Sequence, residues 1–311
     1  MAAQLARVSE MLYVDPSRLV CSIGVMAYNE EGNIGRLLEA LLEQRTDLAM
    51  IDEIIVICSG CTDNTESIVR SYCARDSRVR LVSQPRREGK ASAVNLFVDC
   101  ATSNILLSVG GDTLPEGDSI ERLVGPFVDP DVGMTGARPV PVNDPNTFMG
   151  FAAHLLWEMH HQVALHQPKL GEMTAYRRIF QRIPRYSAVD EANMEPLIRG
   201  QGYELRYVPE AIVHNRGPET VDDFLKQRRR IYAGHLRMQR EQGYTVSTMD
   251  STTILRALVR SWRLWLRHPS WTAGVIWLEF YGRLLGWMDF RLRQRDHVVW
   301  DVATTTKGAI E

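Results

Sequence analysis

Ile105-Leu106-Leu107-Ser108-Val109-Gly110-Gly111-Asp112-Thr113-Leu114-Pro115 reads as a hydrophobic strand that breaks at a glycine turn and offers one carboxylate to the space beyond it. The apolar run is short, β-branched at intervals and bounded by glycines, which marks a strand buried on both faces. In open α/β sheets that space, past the carboxyl ends of the strands, is where ligands bind. Outward from this stretch the pattern repeats. Residues 20–26, 53–58 and 79–83 read as further strands, and residues 34–44, 65–75 and 90–101 as helices with apolar residues at helical spacing. Strand and helix in alternation imply an α/β fold: βαβ units with a mainly parallel sheet flanked by helices. Right-handed crossovers place every strand's carboxyl end on one side, gathering residues 28–31, 59–63 and 110–112 there.

The middle of the chain is less regular. Residues 146–167 have helical periodicity and carry His154, His160, His161 and His166, to which we assign no role. Residues 171–178 lead into a loop, and a helix begins near Asp190. Residues 204–208 and 212–215 read as two short strands, and 220–241 as a long basic helix. The polar, turn-rich stretch 243–253 predicts a boundary, giving a domain over 1–245 and an amphipathic helical segment over 246–311.

Bulk properties narrow the class. With 311 residues and 45% hydrophobic content the chain buries a full core, and its near-neutral balance, a net charge of −2, argues against a nucleic-acid binder. Five cysteines, all between Cys21 and Cys100, are odd in number and suit a reducing compartment better than a disulfide framework. No secretory signal is visible in residues 1–20, so a cytoplasmic location is expected.

Four further segments agree with the opening stretch: Ala27-Tyr28-Asn29-Glu30-Glu31, Ser59-Gly60-Cys61-Thr62-Asp63-Asn64-Thr65, Gly89-Lys90-Ala91-Ser92-Ala93-Val94-Asn95 and Gln227-Arg228-Arg229-Arg230-Ile231. In this order and spacing the five resemble the family-2 nucleotide-sugar glycosyltransferases, whose GT-A fold is a Rossmann-like sheet flanked by helices. The resemblance covers residues 20–240. It implies metal-assisted, inverting transfer of one sugar from a nucleotide-sugar donor to a hydroxyl, with magnesium or manganese as cofactor.

The resemblance also implies roles for single residues. Asp112 stands at the last acidic position of the family's Asp-x-Asp motif, the one that meets the metal, while Gly110 replaces the first acid; Gly111 lies between them on the donor side. Tyr28, Asn29 and Glu30 fall where the family holds nucleobase and ribose, and Asp63 matches the acid closing the loop after the second strand. The acid that often reads uracil is replaced by Cys58 or Ser59, which leaves the nucleotide open. Glu191 stands where the family carries its catalytic base, with Asp190 as the alternative. Gln227-x-x-Arg230 resembles the Gln-x-x-Arg-Trp motif, Arg230 facing the diphosphate and Gln227 the acceptor, with Ile231 in place of tryptophan. His214 is an additional candidate metal ligand.

Plainer readings stand beside these. Lys90 opens a helix, where free amides and a cation favour an anionic group, but it also suits an ordinary solvated position. Asn33 and Asp63 read as helix caps, and Asp190 and Glu191 as acids that complement a helix dipole. At least one of Arg228, Arg229 and Arg230 reads as part of a solvated basic face. Cys58-x-x-Cys61 sits one turn too early for a redox motif. Two other function classes are a non-catalytic relative of the same fold and a nucleotidyltransferase; the latter wants a glycine- and arginine-rich loop after the first strand, which residues 27–30 lack.

The C-terminal segment is distinctive in composition. Between 254 and 295 five of the seven tryptophans, at 262, 265, 271, 277 and 287, interleave with eight arginines. Glu279, Arg283 and Asp289 make spanning a bilayer costly. The expectation is a peripheral position on an anionic membrane at the inner face of the cell, near a lipid-linked acceptor. Oligomeric state is not legible.

Overall fold

A computed structural model describes residues 17–185, 188–293, 299, 303–308 and 310. Its centre is one eight-stranded sheet. The strands are β1 (Leu19–Ala27), β2 (Ala49–Ser59), β3 (Val79–Gln84), β4 (Ile105–Gly110), β5 (Thr113–Pro115), β6 (Val132–Pro141), β7 (Met173–Arg177) and β8 (Glu204–Asn215), in the order β3-β2-β1-β4-β7-β6-β8-β5. β3, β2, β1 and β4 run parallel, as does the β6–β8 pair. β7 joins the halves by antiparallel pairing with β4 and β6, and β5 pairs antiparallel with β8. This is the expected α/β class, a Rossmann-like sheet flanked by helices.

The parallel half follows from its sequence. β1 is buried along almost its whole length between β2 and β4, as a continuous apolar run requires. The crossover helices α1 (Ile34–Leu42), α2 (Thr65–Arg75) and α3 (Lys90–Cys100) cover its two faces. Gly24 lets α3 approach, since a Cβ there would lie 2.4 Å from the Phe97 ring.

The second half departs from the sequence reading in two places. Residues 171–178 are expected to lead into a loop, but Met173–Arg177 forms the buried strand β7, with Tyr176 and Ser108 sharing a hydroxyl hydrogen bond of 2.9 Å. The two strands expected at 204–208 and 212–215 are one, β8, whose pairing with β6 is interrupted by a register shift beside Gly136 and Arg138. β6 itself is masked in sequence by two glycines and two prolines. Gly133 and Gly136 are there because Tyr203 and Leu170 pack against the backbone, 2.4 and 2.6 Å from where a Cβ would stand.

The remaining helices are α4 (Ser119–Val124), α5 (Phe148–Ala164), α6 (Asp190–Arg199), α7 (Val221–Gln242), α8 (Ser251–Arg260), α9 (Trp262–Trp265) and α10 (Pro269–Met288). Thr220 caps α7, accepting from the Asp223 amide at 3.2 Å, and Gly243 ends it in the left-handed region at φ 66°. α10 lies along α7: a Cβ on Gly286 would stand 2.6 Å from the Arg229 carbonyl oxygen. Trp271 meets the rings of Phe148 and Phe151 on α5 at 6.1 and 5.7 Å.

Candidate active site

A cavity of about 710 Å³ begins at the carboxyl ends of β1 and β4 and continues between α5, α7 and α10. Acids, Lys90 and Arg230 line its first part, and its second is mostly apolar with Lys169, Arg228, Glu279 and Arg283 among the apolar side chains.

Asp112 sits where β4 ends. Its Oδ1 lies 2.7 Å from the place a Cβ on residue 110 would take, so Gly110 leaves room for this carboxylate. Asp112 has no hydrogen bond or ion pair among the described residues. Two more carboxyls border the same space, Glu30 and Glu172. Burial first, then the Asp112 charge, pushes Glu172 up to about 7 and Glu30 up to about 8, with Lys307 pulling Glu30 the other way. Glu172 is held at φ 60°, a conformation few non-glycine residues adopt, at the entry to β7. Gly111 is required behind the turn, because a Cβ would stand 2.8 Å from Glu30 Cγ.

The N-terminus of α6 supplies the opposite wall. Lys90 Nζ, on the first residue of α3, reaches Glu191 Oε1 at 2.5 Å and Asp190 Oδ2 at 3.6 Å. It is therefore partnered, not a solvated lysine. Burial works against the Glu191 charge, but Lys90 prevails and holds its carboxyl below the usual range. Asp190 is 1% exposed, its Oδ1 has no hydrogen-bond partner, and burial raises its carboxyl despite Lys90. Of the two acids, Asp190 is the more basic and has the freer oxygen.

α7 closes the charged part. Gln227 and Arg230, one turn apart, both line the cavity. Arg230 donates to the Ala188 carbonyl at 2.9 Å, and burial lowers its guanidinium to about 10 against the pull of Asp190 and Glu191. Arg228 lies 3.7 Å from Glu279 on α10, and Arg229 is paired with the fully buried Asp289. None of the three arginines is thus part of a solvated basic face, because α10 covers that side of α7 and supplies acids to it.

Several expected residues do structural work here. Asn29, at φ 52°, joins the loops after β1 and β2: its Oδ1 accepts from the Thr62 amide at 2.8 Å. Asp63 accepts from the Thr65 amide at 3.0 Å and the Glu31 amide at 3.1 Å, fastening the start of α2. Neither borders the cavity. Tyr28 does, with the Arg87 guanidinium 4.2 Å over its ring. His214 sits opposite Leu114 in the β5–β8 ladder, turned to Glu116 at 3.2 Å and away from Asp112, so it is not placed as a metal ligand. Asn33 heads α1 without a side-chain cap bond. All five cysteines are free.

The sequence reading missed Glu172, Arg87 and Lys307, whose positions come from pairings between distant segments. It also gave no role to the groups around the apolar part. There Met149, Leu156, Val163, Leu258, Val275 and Phe280 line the cavity together with Lys169, His160 and His235. Burial drives His160 down to about 3 and His235 well below its ordinary value, so both are neutral. Burial also lowers Lys169 to about 8.

Asp112 is the carboxylate that could meet a divalent ion: it borders the cavity with Glu30 and Glu172 and has no cation of its own, while no cluster of three metal-ligating side chains occurs among the described residues. Such a site suits a hard cation that takes its other ligands from water and substrate.

Known proteins resemble this chain in sequence and in fold. A dolichyl-phosphate beta-glucosyltransferase of Trichomonas vaginalis is 34% identical over 113 residues, 35% of this chain and 34% of that protein. An N-acetylglucosaminyltransferase of Rhizobium meliloti is 23% identical over 66% of this chain and 53% of its own length. The chain thus spans between about a third and a half of these curated relatives. Among solved structures, a mannosyltransferase from Pyrobaculum calidifontis in complex with GDP-Man and Mn²⁺ superposes with a TM-score of 0.65 at 19% identity, covering 94% of this chain and 95% of that one. Glucosyl-3-phosphoglycerate synthase from Mycobacterium tuberculosis, with Mn²⁺, UDP-glucose and glycerol 3-phosphate, gives 0.51 at 19% identity over 74% and 83%. The model of glycosyl transferase family group 2 matches residues 107–294. That of glycosyl transferase family 2 matches residues 22–188, more than half of the chain, and the chain belongs to that family.

Proposed function

We propose that the protein transfers one sugar, with inversion, from a nucleotide-sugar donor to a hydroxyl of a lipid-linked acceptor at a membrane surface. The observation that carries this reading is that one cavity holds the unpartnered Asp112 carboxylate and the Asp190 carboxylate, with its unbonded Oδ1, and is lined as well by Lys90 and Arg230.

Asp112, assisted by Glu172, would hold magnesium or manganese, which when bound supplies positive charge to the leaving diphosphate. The Mn²⁺ in the Pyrobaculum and Mycobacterium complexes supports this choice. Tyr28 and Glu30 receive the nucleoside, and Arg230 the diphosphate. The acceptor oxygen attacks the anomeric carbon opposite the leaving group. As the new C–O bond forms and the bond to the phosphate oxygen breaks, Asp190 takes the hydroxyl proton. Lys90 keeps Glu191 ionised and out of that role. Gln227 orients the acceptor.

Two features support a membrane-borne acceptor. The apolar part of the cavity leads away from Asp190 between α5, α8 and α10. Beside it Leu255, Val259, Trp262, Trp277, Phe280 and Trp287 are exposed on α8, α9 and α10. Among the described residues no helix is long and apolar enough to cross a membrane. Exposed tryptophans next to arginines suit the headgroup boundary of an anionic bilayer. We therefore assign α8, α9 and α10, within the segment 246–311, as the membrane-facing part beside a catalytic domain over 1–245.

A thermal-shift screen of nucleotide sugars with Mg²⁺ or Mn²⁺ tests the donor assignment. One nucleotide class should raise the melting temperature, and only with the metal; no response across the panel would remove the reading.

A further inference from the structure

The C-terminal end of the chain returns to the donor side of the cavity. Residues 303–308 and Ile310 lie across the mouth between the β1–α1 turn and the first turn of α7, more than 270 positions from the turn they touch. Lys307 Nζ donates to the Tyr28 carbonyl at 2.8 Å and pairs with the Glu30 carboxylate. The same ammonium stands 6.0 Å over the Tyr28 ring, on which Arg87 also sits.

The strap is anchored at both ends. Thr305 donates its amide at 3.1 Å and its hydroxyl at 2.8 Å to Asp223 Oδ2 in α7, and accepts from the Glu219 amide at 3.1 Å. At the other end Asn33 donates to the Lys307 carbonyl at 3.3 Å and accepts from the Ile310 amide at 3.2 Å, while Arg36 donates to the Ile310 carbonyl at 2.6 Å. Asn33 is the residue before α1, yet its side chain makes no cap bond. It donates to and accepts from the strap, and its side-chain amide also reaches Glu30 Oε2 at 3.5 Å.

We propose that this strap is the outer wall of the donor site and that Lys307 is a positioning residue, fixing Glu30 and Tyr28 in the arrangement that receives the donor's nucleoside; the proposal rests on the donor assignment above. Charge explains the need. Glu30 and Asp112 face the same space, and a nucleoside diphosphate is itself an anion. Lys307 favours the ionised form of Glu30 against its burial and offsets that charge where the diphosphate would enter. Geometry distinguishes a wall from a plug: with the strap in place Tyr28, Glu30 and Asp112 still border the cavity, and Ala303, Thr306 and Lys307 line it beside them. The strap also ties the nucleoside side to α7, whose Arg230 faces the diphosphate.

The test uses the full chain, with the nucleoside diphosphate and metal selected by the thermal-shift screen. Calorimetric affinity and the steady-state donor KM and kcat are measured for wild type, Lys307→Met, Lys307→Arg and Thr305→Val. Lys307→Met should weaken nucleoside diphosphate binding and raise donor KM about tenfold, the order expected for one charge-assisted contact, with kcat at saturating donor close to wild type. Lys307→Arg should recover most of the affinity. Thr305→Val, which loosens the strap without touching Glu30, should raise KM in the same direction and provides a second route should Lys307→Met fold poorly. Unchanged affinity in both Lys307→Met and Thr305→Val would overturn the proposal, and tighter binding would show a plug instead of a wall. Either result, with wild type binding nucleotide, leaves the donor assignment standing; a wild type that binds no nucleotide overturns both.

Discussion

At the scale of single residues the account turns on which of two adjacent acids takes the proton. Glu191 has the family's position, but its charge is held by Lys90, and Asp190 has the raised carboxyl and the unpartnered oxygen. Asp190→Asn should lower kcat by about 10²–10⁴-fold with donor affinity little changed, and Glu191→Gln by much less. Because burial raises Asp190, its base form is lost as pH falls through a value above the ordinary carboxylate range. The kcat profile should therefore drop on its acid side there, and Asp190→Asn should abolish that limb. Asp112→Asn should remove the metal-dependent stabilisation by donor while leaving the unliganded melting temperature near wild type, since this carboxylate has no partner to lose. That Asp112, Tyr28, Gln227 and Arg230 border one cavity was legible from motif spacing. Glu172 was not, because only the antiparallel pairing of β7 with β4 brings it to Asp112. Asn29 and Asp63 show the converse: the family pattern marks them, and here their hydrogen bonds hold two loops together.

At the scale of elements, the parallel half could be read from sequence because β1, the end of β2 and β4 are apolar runs and helices alternate with the strands. β6 and β7 could not. Glycines and prolines in β6 look like turns until Tyr203 and Leu170 are seen packed against them, and β7 is five residues long. The same holds for α7, whose triple arginine reads as a wet face only while α10 is out of view. Asp289 is wholly buried, and its carboxylate is neutralised by Arg229 with Arg293 at 3.5 Å. Arg229→Met should therefore destabilise the protein by about 3 kcal/mol, by leaving a buried charge short of its closer partner. Urea denaturation followed by circular dichroism measures this, and a loss below about 0.5 kcal/mol would mean that α10 is not held to α7 by this pair.

At the scale of the whole molecule, one cavity joins two surroundings: carboxyls, Lys90 and Arg230 where the sheet ends, and, beyond them, largely apolar helices that carry exposed tryptophans and the paired Arg228 and Glu279. This arrangement suits a water-soluble donor entering from one side and a lipid-borne hydroxyl from the other. Wild-type protein should sediment with anionic liposomes and less so as salt is raised, whereas a Trp277→Ser, Phe280→Ser double variant should remain in the supernatant. The most direct measurement of the central claim is transfer itself: release of nucleoside diphosphate, together with appearance of labelled sugar in extracted lipid, from a panel of labelled nucleotide sugars with Mg²⁺ or Mn²⁺ and membrane lipid. The account predicts that one donor supports both signals in equal amounts and that Asp190→Asn suppresses both about 10²-fold or more. Absence of transfer from every donor, or an Asp190→Asn protein as active as wild type, would contradict it.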